Sequence, residues 1–279
     1  MSAPSSAQKL ITTRFSRKIW NPIRKAVRDY QLIQPNDRIA VCISGGKDSM
    51  LLACAMQLLQ RVSDVPFDLI GISMDPGYTP DSRAQIEHNI QTLGLQTHWY
   101  QTRLFDTVNR ETDNPCFLCA RLRRGSLYAK ALELGCNKIA LGHHFDDVVE
   151  TTLLSMLYGG QVQTMLPKLH AKNYAGMQVI RPLYLVRERD ILAWRDACAL
   201  TFLACSCDFA ANAKKENRPE SSKRYEVKQI IAQLEQQNDQ VARNIFNSVK
   251  NVNVDDILGW HKGTERHTFL DDYDKHDHH

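Results

Sequence analysis

Five apolar runs, at residues 38–44, 67–75, 97–102, 138–143 and 178–183, alternate with amphipathic stretches near 48–61, 81–93, 117–135 and 146–158. A strand, a helix and a second strand in succession close into a right-handed crossover. The repeated unit therefore predicts an α/β fold: a parallel sheet of about five strands with helices on both faces. From about residue 187 the pattern turns helical, at 188–199, 222–236 and 241–249, and a polar stretch at 211–222 interrupts it. The expected organisation is a basic helical leader over 1–30, a core over 31–210, and a helical extension with a polar tail over 211–279. Ligands of such sheets bind beyond the carboxyl ends of the strands, which directs attention to the loops after Ile43, Met74 and Leu141.

Composition removes whole classes of function. With 43% hydrophobic and 24% charged residues the chain has the make-up of a globular protein, not of a disordered one. No apolar run approaches the roughly 18 residues of a membrane span. The polar amino terminus lacks the apolar stretch of a signal peptide, so the expectation is a cytoplasmic protein with no membrane partner. The net charge of +4 is modest, but its distribution is uneven. Lys9, Arg14, Arg17, Lys18, Arg24, Lys25 and Arg28 stand against Asp29 alone in the first 30 residues, while Ile19, Trp20, Ile23 and Val27 recur at helical spacing. That segment reads equally as an RNA-phosphate contact or as a solvated amphipathic helix. Arg121, Arg123, Arg124 and Lys130, and the loop carrying Lys214, Lys215 and Arg218, carry the same two readings.

Ser44-Gly45-Gly46-Lys47-Asp48-Ser49 follows the first strand and opens a helix. Glycines let the backbone approach a phosphate, the helix start offers unpaired N–H groups, and Lys47 adds positive charge. The spacing is neither that of a Walker loop nor that of a dinucleotide fingerprint. Gly142-His143-His144-Phe145-Asp146-Asp147 stands at the end of the fourth strand, over the same sheet edge. Its aspartates suit a magnesium ion or the orientation of a nucleophile, and His143 suits proton transfer. The alternative is that Asp146 and Asp147 simply cap a helix.

Eight cysteines in a cytosolic chain argue for metal, cluster or catalysis over disulfides. Cys42, Cys54, Cys136 and Cys198 stand singly in apolar surroundings and read as core residues. Cys116 with Cys119, and Cys205 with Cys207, are paired. Four thiolates suit zinc; three, with one iron left open, suit a reactive cluster.

The loop at 44–49 resembles the PP-loop of the N-type ATP pyrophosphatases. With Cys116-x-x-Cys119, Arg121-Leu-Arg-Arg-Gly125, the 140–147 segment, Tyr158-Gly-Gly160, Pro167-Lys-Leu169 and Ile180-Arg-Pro-Leu183, the chain from about 14 to 210 is similar to the tRNA 2-thiocytidine synthetase family. The resemblance implies an adenine nucleotide alpha hydrolase-like fold and ATP cleaved between its α- and β-phosphates. The implied ATP site is Ser44, Gly45, Gly46, Lys47, Asp48 and Ser49 with Mg2+, Ser73 and Asp75 beside the adenine or ribose, and Gly142. The residues implied in catalysis are Lys47, Asp48, His143, Asp146 and Asp147. A [4Fe-4S] cluster is implied on Cys116, Cys119 and Cys207, with Cys205 as the alternative third ligand. The implied activity is ATP-dependent thiolation of a tRNA cytidine, with a sulfur donor such as a cysteine desulfurase; a homodimer is left open. The alternatives are a thiolase acting on a tRNA uridine and an RNA-binding protein with structural zinc.

Overall fold

The structure, a computed structural model, describes residues 4–94, 96–102, 115–198, 201–203, 223–271 and 273, with the side chains of 115–120 left aside. Cys205, Cys207 and the basic loop at 211–222 lie outside the described residues. The core sheet contains β1 (Asp37–Cys42), β2 (Phe67–Asp75), β3 (Thr97–Gln101), β4 (Lys138–Ala140), β5 (Lys168–His170) and β6 (Gln178–Ile180), in the order β3-β2-β1-β4-β6-β5. Five of these strands run parallel, in line with the expectation, and β5 adds an antiparallel edge through Lys168↔Ile180 and His170↔Gln178. β6 stops at Ile180, short of the predicted 183, because Pro182 has no N–H to donate to a ladder.

Alternation on β1 sets the layers. Ile39, Val41 and Ile43 enter one hydrophobic cluster and Ala40 the other. The first cluster is covered by α3 (Lys47–Val62), whose Met50, Leu51, Leu52 and Met56 are wholly buried, with α4 (Pro80–Thr92), α6 (Phe145–Gly159) and α7 (Glu188–Ala197). The opposite face is covered by α5 (Pro115–Glu133).

The amino-terminal segment is part of the first cluster. α1 (Ser6–Thr12) passes through one π-helical turn, Ser16–Trp20, into α2 (Asn21–Asp29). Ile11, Ile19, Ile23 and Ala26 are fully buried, and the Trp194 indole N–H donates to the Ala7 carbonyl at 3.1 Å. All seven basic residues of this segment remain exposed on its outer side. Beyond the core, α8 (Lys223–Gln237) and α9 (Val241–Ser248) occupy the predicted helical extension, and Phe246 of α9 stacks on Phe145 at 4.9 Å. An exposed hairpin of β7 (Gly259–Lys262) and β8 (Glu265–Thr268) follows, which the helical pattern did not foreshadow.

A buried ion pair fastens the amino ends of the two central strands. Lys138 Nζ lies 2.6 Å from Asp37 Oδ2, with the side chains 1% and 4% exposed. Lys138 also donates to the Leu32 carbonyl, while Asp37 accepts from the Gln34 N–H and the Asn137 amide. Leaving one buried charge unpaired is far more costly than losing a surface pair. Lys138→Met should therefore lower unfolding free energy by about 3–5 kcal/mol in urea titration. Adding Asp37→Asn, which removes the unpaired charge and keeps an acceptor for one of the two donors, Gln34 or Asn137, should recover part of that loss.

Candidate active site

The chain leaves β1 through a tight turn. Gly45 holds φ +81°, and a Cβ there would stand 2.5 Å from Ile86 of α4 and 3.2 Å from Leu203, so both conformation and space require glycine. Gly46 is the N-cap of α3 and offers no side-chain cap, which leaves the first amides of the helix available to an anion. The Ser44 N–H donates to Ser49 Oγ at 3.1 Å and the Ser49 hydroxyl donates to the Gly46 carbonyl at 2.9 Å, so the two serines brace the turn from within. Lys47 Nζ lies between Asp48, at 2.9 Å, and Glu188 at the start of α7, at 3.4 Å.

The end of β4 closes on this turn. A Cβ on Gly142 would lie 3.2–3.3 Å from the backbone of Asp48 and Ser49. Gly142 thus acts by being small, and it brings the 143–147 segment beside the loop. His144 caps α6, its N–H donating to Asp147 Oδ2 at 2.9 Å. Its buried ring stands 3.5 Å from Asp147 and 4.0 Å from Asp48. Asp147 also accepts from Arg224 at 2.9 Å, and Arg224 reaches Glu150 at 2.8 Å. Asp146 accepts from Arg187 Nε at 3.1 Å and from the Glu188 N–H at 2.6 Å. The capping alternative for the paired aspartates therefore holds for Asp147, whereas Asp146 ties α6 to α7.

Lys47, Asp48, Asp146 and Asp147 come together as the motifs suggested, joined by three residues that the motifs had not assigned: His144, Arg224 and Glu188. Burial raises the Glu188 carboxyl, but Lys228 and Lys47 outweigh it and hold the group below its ordinary range. Burial, seconded by Arg181, pushes His143 down to about 4, against the opposing pull of Asp147. His143 is therefore a neutral imidazole at physiological pH. Ser73, fully buried, donates its hydroxyl to the Ile43 carbonyl at 3.0 Å and steadies the chain entering the loop. Asp75 is occupied by its own turn, accepting from the Gly77 and Tyr78 amides and from Arg83.

The cysteines divide by environment. Burial pushes Cys42 and Cys198 up to about 12 and also raises Cys54 and Cys136. Thiols so held are poor metal ligands, which require thiolates. Cys116 and Cys119 are the second and fifth residues of α5, near the end of a helix, which favours a thiolate in general. The donor chemistry of this pair fits an iron–sulfur cluster; a third ligand would come from Cys205 or Cys207. Among the described residues no group of three or more His, Cys, Asp or Glu forms a metal site, and no helix is long and apolar enough to cross a membrane.

Residues 11–215 match the model of the PP-loop domain. The chain belongs to the PP-loop family. Among its relatives are the tRNA-cytidine(32) 2-sulfurtransferases of Geobacter metallireducens, 36% identical over 87% of this chain and 92% of the relative, and of Geobacter sulfurreducens, 37% identical over 85% and 90%. In three dimensions the chain is similar to the U34-tRNA thiolase NcsA of Methanococcus maripaludis with its [4Fe-4S] cluster. That likeness has a TM-score of 0.62 at 21% identity and covers 84% of this chain and 80% of the other, a likeness of fold.

Two outcomes test this geometry. Gly45→Ala should cost at least about 1–2 kcal/mol of stability from the left-handed backbone alone and should weaken ATP binding measured by calorimetry. His143 resists protonation in the folded state, so between its ordinary 6.5 and about 4 the unfolded chain binds the proton first. Its contribution to stability is present above pH 6.5 and is lost as pH falls to about 4, amounting to about 3 kcal/mol. Urea titrations at pH 7 and pH 4.5 should therefore differ less in His143→Gln than in the wild type.

Proposed function

We propose that the chain is an ATP-dependent tRNA sulfurtransferase that converts cytidine 32 to 2-thiocytidine in the cytoplasm. The observation that carries the reading is the PP-loop: an uncapped helix start beside Lys47, opposite the carboxylates of Asp48 and Asp147, in a chain spanning about nine-tenths of relatives bearing that name.

Lys47 and the amides of the loop would receive the β- and γ-phosphates of ATP as pyrophosphate, exchanging the present carboxylate partners of Lys47 for phosphate oxygens. Asp48, with Asp146 or Asp147, would hold Mg2+ against the departing charge. The C2 oxygen of the base attacks the α-phosphorus and pyrophosphate leaves. A sulfur nucleophile then adds at C2, and AMP departs with the former oxygen. Neutral His143 can accept or donate a proton at the reacting base without carrying charge into the site. A [4Fe-4S] cluster on Cys116, Cys119 and Cys207, or Cys205 as third ligand, would supply the sulfur nucleophile at an iron free of protein ligands. The sulfur would come from a donor such as a cysteine desulfurase. The exposed basic face of α1 and α2 is suited to the tRNA backbone.

The test is nucleoside analysis after incubating anaerobically purified protein with ATP, sulfide and unmodified tRNA. 2-Thiocytidine should appear with AMP and pyrophosphate, and iron should approach four per chain. Lys47→Ala should abolish turnover and keep the iron, whereas Cys116→Ala or Cys119→Ala should lose both. ADP as product, or 2-thiouridine in place of 2-thiocytidine, would overturn the assignment.

A further inference from the structure

Residues 201–203 lie across the PP-loop. The Leu203 N–H donates to the Gly45 carbonyl at 3.1 Å, and Leu203 Cδ1, together with Ile86, closes the space where a Cβ on Gly45 would stand. Phe202 packs on Trp194, with ring centroids 5.7 Å apart. Asn89, on α4 and 1% exposed, donates from Nδ2 to the Thr201 carbonyl at 2.7 Å and accepts from Gln85 Nε2 at 3.1 Å. Asparagine is a weak helix former, and its amide is costly to bury unpaired. Its buried place in the last turn of α4 is therefore explained by this tie across 112 residues of sequence. The strap so held leads within two and four residues to Cys205 and Cys207. At roughly 3.3–3.6 Å per residue the chain allows about 7 and 14 Å from Leu203 to those positions.

We propose that Asn89 is a positioning residue for sulfur transfer: by tying Thr201 to α4 it holds the chain that enters the downstream cysteine pair in one frame with the PP-loop. The inference rests on the thiolation reading. In this frame the adenylated C2 meets sulfur before it meets water. When the frame loosens, water adds at C2 instead and AMP leaves, returning cytidine with one ATP cleaved to AMP and pyrophosphate for no thiolation.

The test compares wild type with Asn89→Asp, which keeps the side-chain shape and the acceptor for Gln85 but removes the donor to Thr201, and with Leu203→Ala at the other anchor. AMP formed per 2-thiocytidine should rise roughly tenfold or more in both variants, as expected of a small misplacement of reacting groups. Iron per chain and the Kd for ATP should stay at wild-type values. The electron paramagnetic resonance signal of the reduced cluster should respond to ATP in the wild type and lose that response in the variants. An unchanged ratio of AMP to 2-thiocytidine with an unchanged spectral response, or a proportionate fall in both products that follows a lowered Tm, overturns the role. If Asn89→Asp does not fold, Leu203→Ala decides by the same measures. Wild-type protein that makes no 2-thiocytidine would overturn the thiolation reading, and this inference with it; wild-type thiolation with fully coupled variants overturns this inference alone.

Discussion

The meeting of β4 with the first turn of α3 organises the molecule. Gly142 leaves no room for a side chain against Asp48 and Ser49, and because of that closeness a helix start rich in free amides shares its space with His144 and Asp147. The buried pair of Lys138 and Asp37, at the far end of the same two strands, fixes their register. One end of β1 and β4 is thus spent on stability, and the other is left open for chemistry, as parallel sheets arrange it.

Ion pairs from other elements hold the carboxylates around the Gly45 turn in place. Glu188 lies between Lys47 and Lys228, Asp146 holds Arg187, and Arg187 in turn reaches Glu235 at 2.9 Å. Arg224 bridges Asp147 and Glu150. Through these pairs α8, which lies beyond the family match at 11–215, becomes a support for groups at the phosphate edge. Each exposed pair contributes little by itself, but the half-buried ones share partners and restrict one another.

Sequence legibility followed the range of the interactions. The parallel strands and most helices were visible because burial imposes a local period, and the turn at Gly45 because a left-handed, crowded backbone demands glycine. β5 escaped notice: three residues cannot show an alternation, and its place comes from pairing with β6. Glu188 and Arg224 were equally silent, since an ion pair 40 or 77 residues apart in sequence leaves no periodic trace. The paired aspartates were recognised, yet the division by which Asp147 caps a helix and Asp146 links two depends on Arg187 and Glu188 arriving from another element. The basic amino terminus showed its apolar stripe plainly, whereas the depth to which Ile11, Ile19 and Ile23 are buried is a matter of packing.

The environment of Cys42, Cys54, Cys136 and Cys198 has a consequence for handling sulfur. A thiol held protonated is slow to alkylate, slow to oxidise and slow to exchange with persulfides. Under the thiolation proposed above, sulfur misplaced on side chains is a hazard, and these four positions are insulated from it. Half of the chain's cysteines are thereby chemically quiet toward electrophiles, oxidants and donor sulfur alike.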